Sequence, residues 1–264
     1  MSVAPDAPPP ARRWPELRAC AAAVAFLTRI PIGRRVNLDE DDVARAGLAF
    51  PLVGAAVGAA VGGIAAALAG PLSPLLAAAI ALAAGTVLTG ALHLDGLADT
   101  ADALGGRSRE RALEIMRDHA VGAYGTVAIG LDLLIKAGAL AALSRHGHVL
   151  AFAVTAGGLS RSVPLLLSVT LPYARPTEGA AASLARKGRG WRAVVAGIAA
   201  VGIAAAVAGT DGLVVATCVA VLSACLYGTL RRWLGGITGD TLGGAVELSE
   251  TTVLVVAVSL IGAG

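Results

Sequence analysis

The chain is poor in the residues that normally cover the surface of a soluble protein. Only 15% of its 264 residues are charged and 3% are aromatic, whereas about 25% of an average soluble domain is charged. Hydrophobic residues make up 56% of the chain, and the mean hydropathy is +0.75. Most of its apolar segments also lack the polar face that a helix in a soluble bundle needs. The shortage of charge therefore excludes an ordinary soluble domain and indicates a membrane protein.

Cysteine is also scarce. Cys20, Cys218 and Cys225 form no CxxC pair and have no histidine cluster nearby, so the cysteine spacings typical of zinc sites are absent. We interpret these cysteines as small apolar side chains.

The amino-terminal stretch MSVAPDAPPPARRWPEL is Pro-rich and polar. It lacks the apolar core of a secretory signal. We predict a disordered tail over residues 1–16 and a single helical membrane domain over residues 17–264.

What the chain does contain is a series of apolar stretches of about 20 residues, each long enough to cross a hydrocarbon core of about 30 Å. They predict an all-α polytopic integral membrane protein with about seven transmembrane helices. Short amphipathic helices at the interface are expected near residues 17–30 and 106–125. The predicted spans are 46–70, 73–98, 120–143, 148–172, 191–209, 212–234 and 240–263.

The first span carries Gly54, Gly58 and Gly62 at a spacing of four residues. Such a stripe lies on one helix face and allows another membrane helix to approach closely. A flexible gate is the alternative interpretation.

The distribution of basic residues predicts the orientation. If the amino terminus is cytoplasmic, most of the 21 Lys and Arg residues fall in cytoplasmic loops, and Arg145 falls on the other side. This bias follows the positive-inside rule. We therefore expect a multi-pass protein of the cell (inner) membrane with its amino terminus inside and its carboxyl terminus outside.

The stretch GALHLDGLADTADALGG (90–106) places Asp95, Asp99 and Asp102 at the cytoplasmic end of the second span. Their spacing of four and three residues puts them on one helix face. Three neighbouring carboxylates repel one another unless a cation lies among them, and their hard oxygen ligands suit Mg²⁺ or Mn²⁺. The alternatives are a solvated helix end or pairing with the arginines that follow.

A second acidic group lies in LGGITGDTLGGAVELSE (234–250), again at a cytoplasmic boundary. Asp240 and Glu247 are seven residues apart and share a helix face, although Asp240 also suits a helix N-cap. Glu247 lies within an apolar span, where a carboxylate is costly and indicates function. Together the two groups predict one shared metal site, with the candidate ligands Asp95, Asp99, Asp102, Asp240 and Glu247.

Arginines between the two groups could bind phosphates. Arg107, Arg111 and Arg117 lie on an amphipathic helix and suit either substrate phosphates or anionic lipid headgroups. Asp118 is a candidate metal ligand or general base, and His119 is a weaker one.

Three charged residues fall inside predicted spans. Asp132 and Lys136 are four residues apart, so we expect them to form an ion pair. Arg161 has no local partner, and either a phosphate or a carboxylate of another helix, such as Glu247 or Asp132, could neutralise it.

Several blocks of the sequence resemble the cobalamin synthase family, the adenosylcobinamide-GDP ribazoletransferases. They are FLTRIPI (26–32), FPLVG (50–54), HLDGLADTADAL (93–104), RALEIMRDHAVGAYG (111–125), the SR pair at 160–161, YAR (173–175) and GGITGDTLGGAVEL (235–248). The resemblance implies a Mg²⁺-dependent membrane transferase that joins adenosylcobinamide-GDP to α-ribazole 5′-phosphate, or to α-ribazole, and releases GMP. It implies no nucleic-acid partner, and the oligomeric state, including a homo-oligomer, stays open.

Combining the residues with the resemblance predicts the site. The catalytic candidates are Asp95, Asp99, Asp118 and Asp240. The substrate-binding candidates are Arg117, Arg161, Arg175, Gly239 and Gly243.

Two other classes of protein would share some of these features. A secondary transporter would explain many glycines and charged residues near the midplane, but most carboxylates gather at the boundary. An intramembrane aspartyl protease would need two apposed aspartates within the membrane and no metal.

Overall fold

The computed structural model describes residues 14–34, 42, 45–118, 120–175, 182 and 189–262. Helices dominate this part of the chain, which contains no strand beyond an isolated bridge between Tyr173 and Ile237. Most of the predicted tail lies outside the described residues. The helices are α1 (Pro15–Leu27), α2 (Phe50–Leu68), α3 (Pro74–Thr89), α4 (Leu92–Ala103), α5 (Arg109–Ile115), α6 (Ala123–Arg145), α7 (Val149–Thr170), α8 (Gly190–Trp233) and α9 (Gly239–Ile261). The all-α prediction is confirmed, and short 3₁₀ turns at Pro31–Arg34 and Gly47–Ala49 complete the secondary structure.

In the part of the chain that the structure describes, five helices are long and apolar enough to cross a membrane, and α3 with α4 makes a sixth if that bent pair is one span. The 44-residue α8 contains a break at Gly209, whose φ of 58° and ψ of −135° are not helical. A Cβ on Gly212 would collide with the carbonyl oxygen of Ala204, so the chain folds back on itself there. Helix α8 thus supplies the two predicted spans 191–209 and 212–234, and the prediction of about seven spans is compatible with the structure.

Helix α7 is the centre of the bundle. Of its most apolar 18-residue window, 78% is buried, and it packs against α2, α8 and α9. A Cβ on Gly54 or Gly58 of α2 would collide with the carbonyl oxygen of Gly157 or Ala153 of α7. The glycine stripe therefore provides the close helix contact that its spacing predicted.

The predicted continuous span 73–98 is instead two helices that meet at 92°. Helix α3 ends at Thr89 and is capped by Gly90, whose φ is 66°, and Ala91 follows with a φ of 59°. Arg29 covers this bend: its backbone amide donates to the Leu88 carbonyl over 2.7 Å, and its side chain fills the space beside Gly90. The bend turns α4 away from the direction of α3, so that α4 packs against α6 and α9.

Candidate functional site

The site is built where α4 crosses α9. A Cβ added to Gly96 would lie 2.7 Å from the Asp240 carbonyl oxygen and 3.0 Å from the Gly243 Cα. The two backbones are therefore in direct contact, which a side chain at either glycine would prevent. Because Asp95 flanks Gly96, this contact brings the aspartates of α4 beside the first turn of α9.

Asp95, Asp99 and Asp240 form what we call the acidic cluster. Asp95 is exposed, Asp99 is half-buried, and the Asp240 side chain keeps 22% of its surface exposed. Burial, with the neighbouring carboxylates of Asp240 and Asp95, raises the pKa of Asp99 to about 6. Asp99 lies on the short α4 beyond the five apolar helices, and burial, which disfavours the charged form of a carboxyl, is the main cause of its raised pKa.

The start of α9 holds Asp240 in place. Thr238 is the N-cap, and its hydroxyl accepts from the Thr241 amide over 3.2 Å, while the Thr238 amide donates to the Thr241 hydroxyl over 2.9 Å. This capping box fixes the first turn of the helix. The Thr238 hydroxyl also lies 3.3 Å from Asp240 Oδ2, which accepts from it.

Arg175 reaches the acidic cluster through a short backbone pairing. The Ala174 amide donates to the Ile237 carbonyl over 2.8 Å, and the Ile237 amide donates to the Pro172 carbonyl over 2.9 Å. This pairing places Arg175 Nη2 3.0 Å from Asp240 Oδ2. Asp240 therefore engages Nη2 of Arg175. Within the described residues, the buried Nε of Arg175 has no hydrogen-bond acceptor.

A cavity of about 270 Å³ opens beside the acidic cluster. Its polar wall contains Arg161 and His93 together with Asp95, Asp240 and the backbone of Gly239 and Gly243. The cavity is also lined by Tyr173 and by a set of apolar side chains that we call the apolar wall: Phe26, Leu27, Phe50, Leu92, Pro164, Leu242 and Val246. Sequence reasoning did not predict this apolar wall. The only sequence signal was that Phe26 and Phe50 begin two of the blocks quoted above.

Deeper in the bundle lies a network of buried charges. Lys136 Nζ is 3.0 Å from Asp132 Oδ2, which confirms the predicted pair, and it also contacts Glu247 and Glu250. Arg161 binds Glu250. Arg161 is therefore paired with a carboxylate of another helix, as one of the two alternatives predicted. Its direct partner is Glu250, although the charge of Glu247 also acts on it.

Arg161 joins this network to the cavity. It is 4% exposed, and its Nε has no hydrogen-bond acceptor among the described residues. Glu247, by contrast, lies against Lys136 and not in the acidic cluster. Its role as a metal ligand stays a prediction.

Asp102 has a different environment from its two neighbours on α4. Its Oδ2 accepts from the Gly122 amide over 2.7 Å, and its Oδ1 accepts from the Gly125 amide over 2.9 Å. Both oxygens thus satisfy amides at the start of α6 that have no partner within that helix. Asp102 positions α6, and its role as a metal ligand stays a prediction.

The two candidates on the loop after α5 are exposed. Asp118 Oδ1 accepts a hydrogen bond from the Ala120 amide over 3.1 Å, and Arg117 faces solvent. Neither lines the cavity. Their catalytic and substrate-binding roles stay predictions, and His119 lies outside the described residues.

The donor set fits a divalent cation that is shared with a substrate. Among the described residues, no three His, Cys, Asp or Glu side chains converge to enclose a metal. Mg²⁺ commonly binds one or two protein carboxylates together with substrate phosphates and water. Asp95, Asp99 and Asp240 offer such oxygens on an accessible side. The unused donors of Arg161 and Arg175 suit the phosphate oxygens of the same substrate.

A helical membrane bundle with an acidic cluster, free arginine donors and a partly apolar cavity at one end defines a polytopic membrane transferase. More particularly, the chain belongs to the cobalamin-5-phosphate synthase family, whose model matches residues 19–258.

Three relatives illustrate the match, and each is named adenosylcobinamide-GDP ribazoletransferase. The protein of Pseudomonas paraeruginosa is 42% identical over 90% of this chain and 97% of its own length. That of Ralstonia nicotianae is 39% identical over 90% and 93%. That of Shigella dysenteriae is 37% identical over 88% and 96%. No solved structure matches the chain.

Proposed function

We propose that this chain is an adenosylcobinamide-GDP ribazoletransferase. It joins GDP-activated cobinamide to α-ribazole 5′-phosphate, or to α-ribazole, and releases GMP. The product is adenosylcobalamin 5′-phosphate, or adenosylcobalamin. The observation that carries this proposal is the backbone contact of Gly96 with the first turn of α9, which unites two distant acidic motifs inside the matched region.

Two groups of residues bind the substrate phosphates and the cation in this proposal. Arg161 and Arg175 bind the phosphate oxygens of the GDP-corrinoid, because both have buried donors without acceptors in the described part of the chain. Asp95 and Asp240, with Asp99, hold Mg²⁺. When bound, this ion supplies positive charge that offsets the diphosphate and makes GMP a better leaving group.

The proposed proton acceptor is Asp118, or an aspartate of the acidic cluster that is not fully engaged with the cation. A general base works best when its pKa lies near the operating pH. A hydroxyl of the α-ribazole ribose attacks the phosphorus on the corrinoid side while this carboxylate takes its proton. The bond from that phosphorus to the bridging oxygen breaks, and this oxygen leaves with GMP.

The same proposal includes the location of the site. The protein spans the cell (inner) membrane, and its amino terminus and acidic cluster face the cytoplasm, since most basic residues then lie inside. The carboxyl terminus lies outside. All residues that the proposed reaction uses come from one chain.

The reaction can be tested directly in liposomes that contain the purified protein. When adenosylcobinamide-GDP and α-ribazole 5′-phosphate are supplied, we expect GMP and the cobalamin phosphate to form in equal amounts, as measured by mass spectrometry. Turnover should be lost when Mg²⁺ is chelated. Turnover that survives chelation would contradict the role of the cation. Uptake of substrate into sealed vesicles without GMP release would instead support a transporter.

A further inference from the structure

We propose that the apolar wall of the 270 Å³ cavity binds the aromatic base of α-ribazole, 5,6-dimethylbenzimidazole. The inference rests on the proposed function and goes further, because it assigns one substrate, and one part of it, to a defined surface. The ribose and its phosphate would then extend towards the acidic cluster.

The size of the cavity matches the smaller ring system of the two substrates. Pockets for drug-sized ligands occupy about 300–1,000 Å³, so a cavity of about 270 Å³ suits a fragment such as a two-ring base. The corrin macrocycle is several times larger than such a base.

The apolar side chains of the wall favour dimethylbenzimidazole over guanine. Guanine carries an exocyclic amine, a carbonyl and a ring N–H, and each loses free energy when it is buried without a partner. Phe26, Leu27, Phe50, Pro164 and Val246 offer only apolar side chains to such groups. Dimethylbenzimidazole has no N–H once it is attached to ribose, and its two methyl groups gain from burial.

The aromatic side chains give the wall a shape that suits a flat ring. Phe26 and Phe50 stack with a centroid distance of 5.6 Å and an interplanar angle of 5°. Phe50 is only 2% exposed, so neighbouring residues hold this pair in place. Flat rings add favourable stacking or edge contacts to such a pair beyond the area that they bury.

The polar wall sets the orientation of the bound molecule. Asp95, Asp240 and Arg161 line the same cavity as the apolar side chains. A base held against the apolar wall therefore keeps its ribose within the cavity that the acidic cluster borders. There its hydroxyl can reach the phosphorus that Arg161 and Arg175 help to hold.

Val246 offers a test, because it lines the cavity and is 1% exposed. Val246→Leu narrows the cavity and Val246→Ala widens it. Val253 lies two turns further along α9, is equally buried and does not line the cavity, so Val253→Leu and Val253→Ala are matched controls. The probes are α-ribazole and its analogue without the two ring methyl groups, with binding to the detergent-purified protein measured by equilibrium dialysis without corrinoid.

We expect the unsubstituted protein to bind α-ribazole about tenfold more tightly than the demethylated analogue, since each buried methyl group contributes severalfold. In Val246→Leu this preference should be lost, so that the two compounds bind about equally tightly. Val246→Ala should weaken the binding of both compounds, and the Val253 controls should keep the tenfold ratio. A ratio that Val246→Leu leaves unchanged would overturn the assignment, and so would equal effects in the Val253 controls.

The liposome assay separates this inference from the proposed function. GMP release with an unchanged base preference in Val246→Leu would leave the transferase intact and remove the base from this cavity. The cavity would then be open to a lipid acyl chain. A higher KM for adenosylcobinamide-GDP alone in Val246→Leu would also overturn the inference, because it would place the other substrate there.

Discussion

Gly243 of α9 lies against Gly96 of α4 so closely that a Cβ on Gly243 would be 3.2 Å from the Gly96 Cα. The two helices come from parts of the chain almost 150 residues apart, and each carries an aspartate next to the contact. The position of the acidic cluster therefore depends on the absence of two side chains.

Gly96→Ala should lower the rate of GMP release by about 10²-fold or more, because a displacement of catalytic groups by about 1 Å has an effect of this size. The added methyl group would meet backbone atoms of α9, which cannot move aside as a flexible side chain can. Gly138→Ala on α6 is the matched control, since a Cβ there meets nothing within 4 Å. Equal activity of the two variants would show that the α4–α9 contact does not position the site.

Asp95→Asn and Asp240→Asn should each reduce turnover by about 10²-fold or more, since each removes a charge that holds the cation at the developing negative charge. GMP release as a function of Mg²⁺ concentration measures the effect. Asp211→Asn is the control, because Asp211 lies on α8 just after the break at Gly209, away from the acidic cluster. Variants of the acidic cluster that keep both turnover and its Mg²⁺ dependence would refute the assignment.

The affinity for a divalent cation should fall as the pH falls through about 6. The pKa of Asp99 is raised to about 6, so below that pH the carboxyl is mostly protonated and the cation must displace a proton. We expect the Kd for Mn²⁺, measured by electron paramagnetic resonance, to be constant above about pH 7 and to rise up to tenfold per pH unit below 6. In Asp99→Asn the rise of the Kd for Mn²⁺ below pH 6 should disappear. If the rise persists in this variant, a group other than Asp99 is responsible for it.

Asp102→Ala separates the two roles of that carboxylate. If Asp102 only positions α6, the loss of its hydrogen bonds to Gly122 and Gly125 should lower the free energy of unfolding by about 0.5–2 kcal/mol, as for other helix caps. Its Mn²⁺ affinity should then change less than twofold. Ser108→Ala removes the cap of α5 and serves as control. A tenfold loss of Mn²⁺ affinity in Asp102→Ala alone would instead support Asp102 as a metal ligand.

Lys136→Met should destabilise the protein strongly, because it leaves Asp132, Glu247 and Glu250 without the cation that they share. Removal of one partner of a buried ion pair costs about 3–5 kcal/mol. Thermal unfolding in detergent measures the loss. The double variant Lys136→Met, Glu247→Gln should regain part of it, since one of the uncompensated charges is gone. A double variant less stable than Lys136→Met would contradict this account of the network.

Hydropathy and local spacing were sufficient to predict the helical membrane fold, the glycine contact of α2 and the pair of Asp132 with Lys136. These features depend on residues within a few turns of one another, or on the length of an apolar stretch, and a linear pattern reports both. The two acidic motifs were also visible, because carboxylates at the ends of apolar spans are rare and costly.

The arrangement of the helices could not be predicted from hydropathy and local spacing. The 92° bend between α3 and α4 requires a left-handed conformation at Ala91, and no residue type there indicates it. Glu247 and Asp240 share a helix face, yet Glu247 binds Lys136 of α6 and Asp240 contacts Arg175. Which partner each carboxylate finds depends on the helix packed against that turn, and this choice arises from side-chain volume and buried charge across the whole bundle. The cavity could not be predicted for the same reason. Its walls come from α1, α2, α4, α7 and α9, and it forms only where these helices pack together.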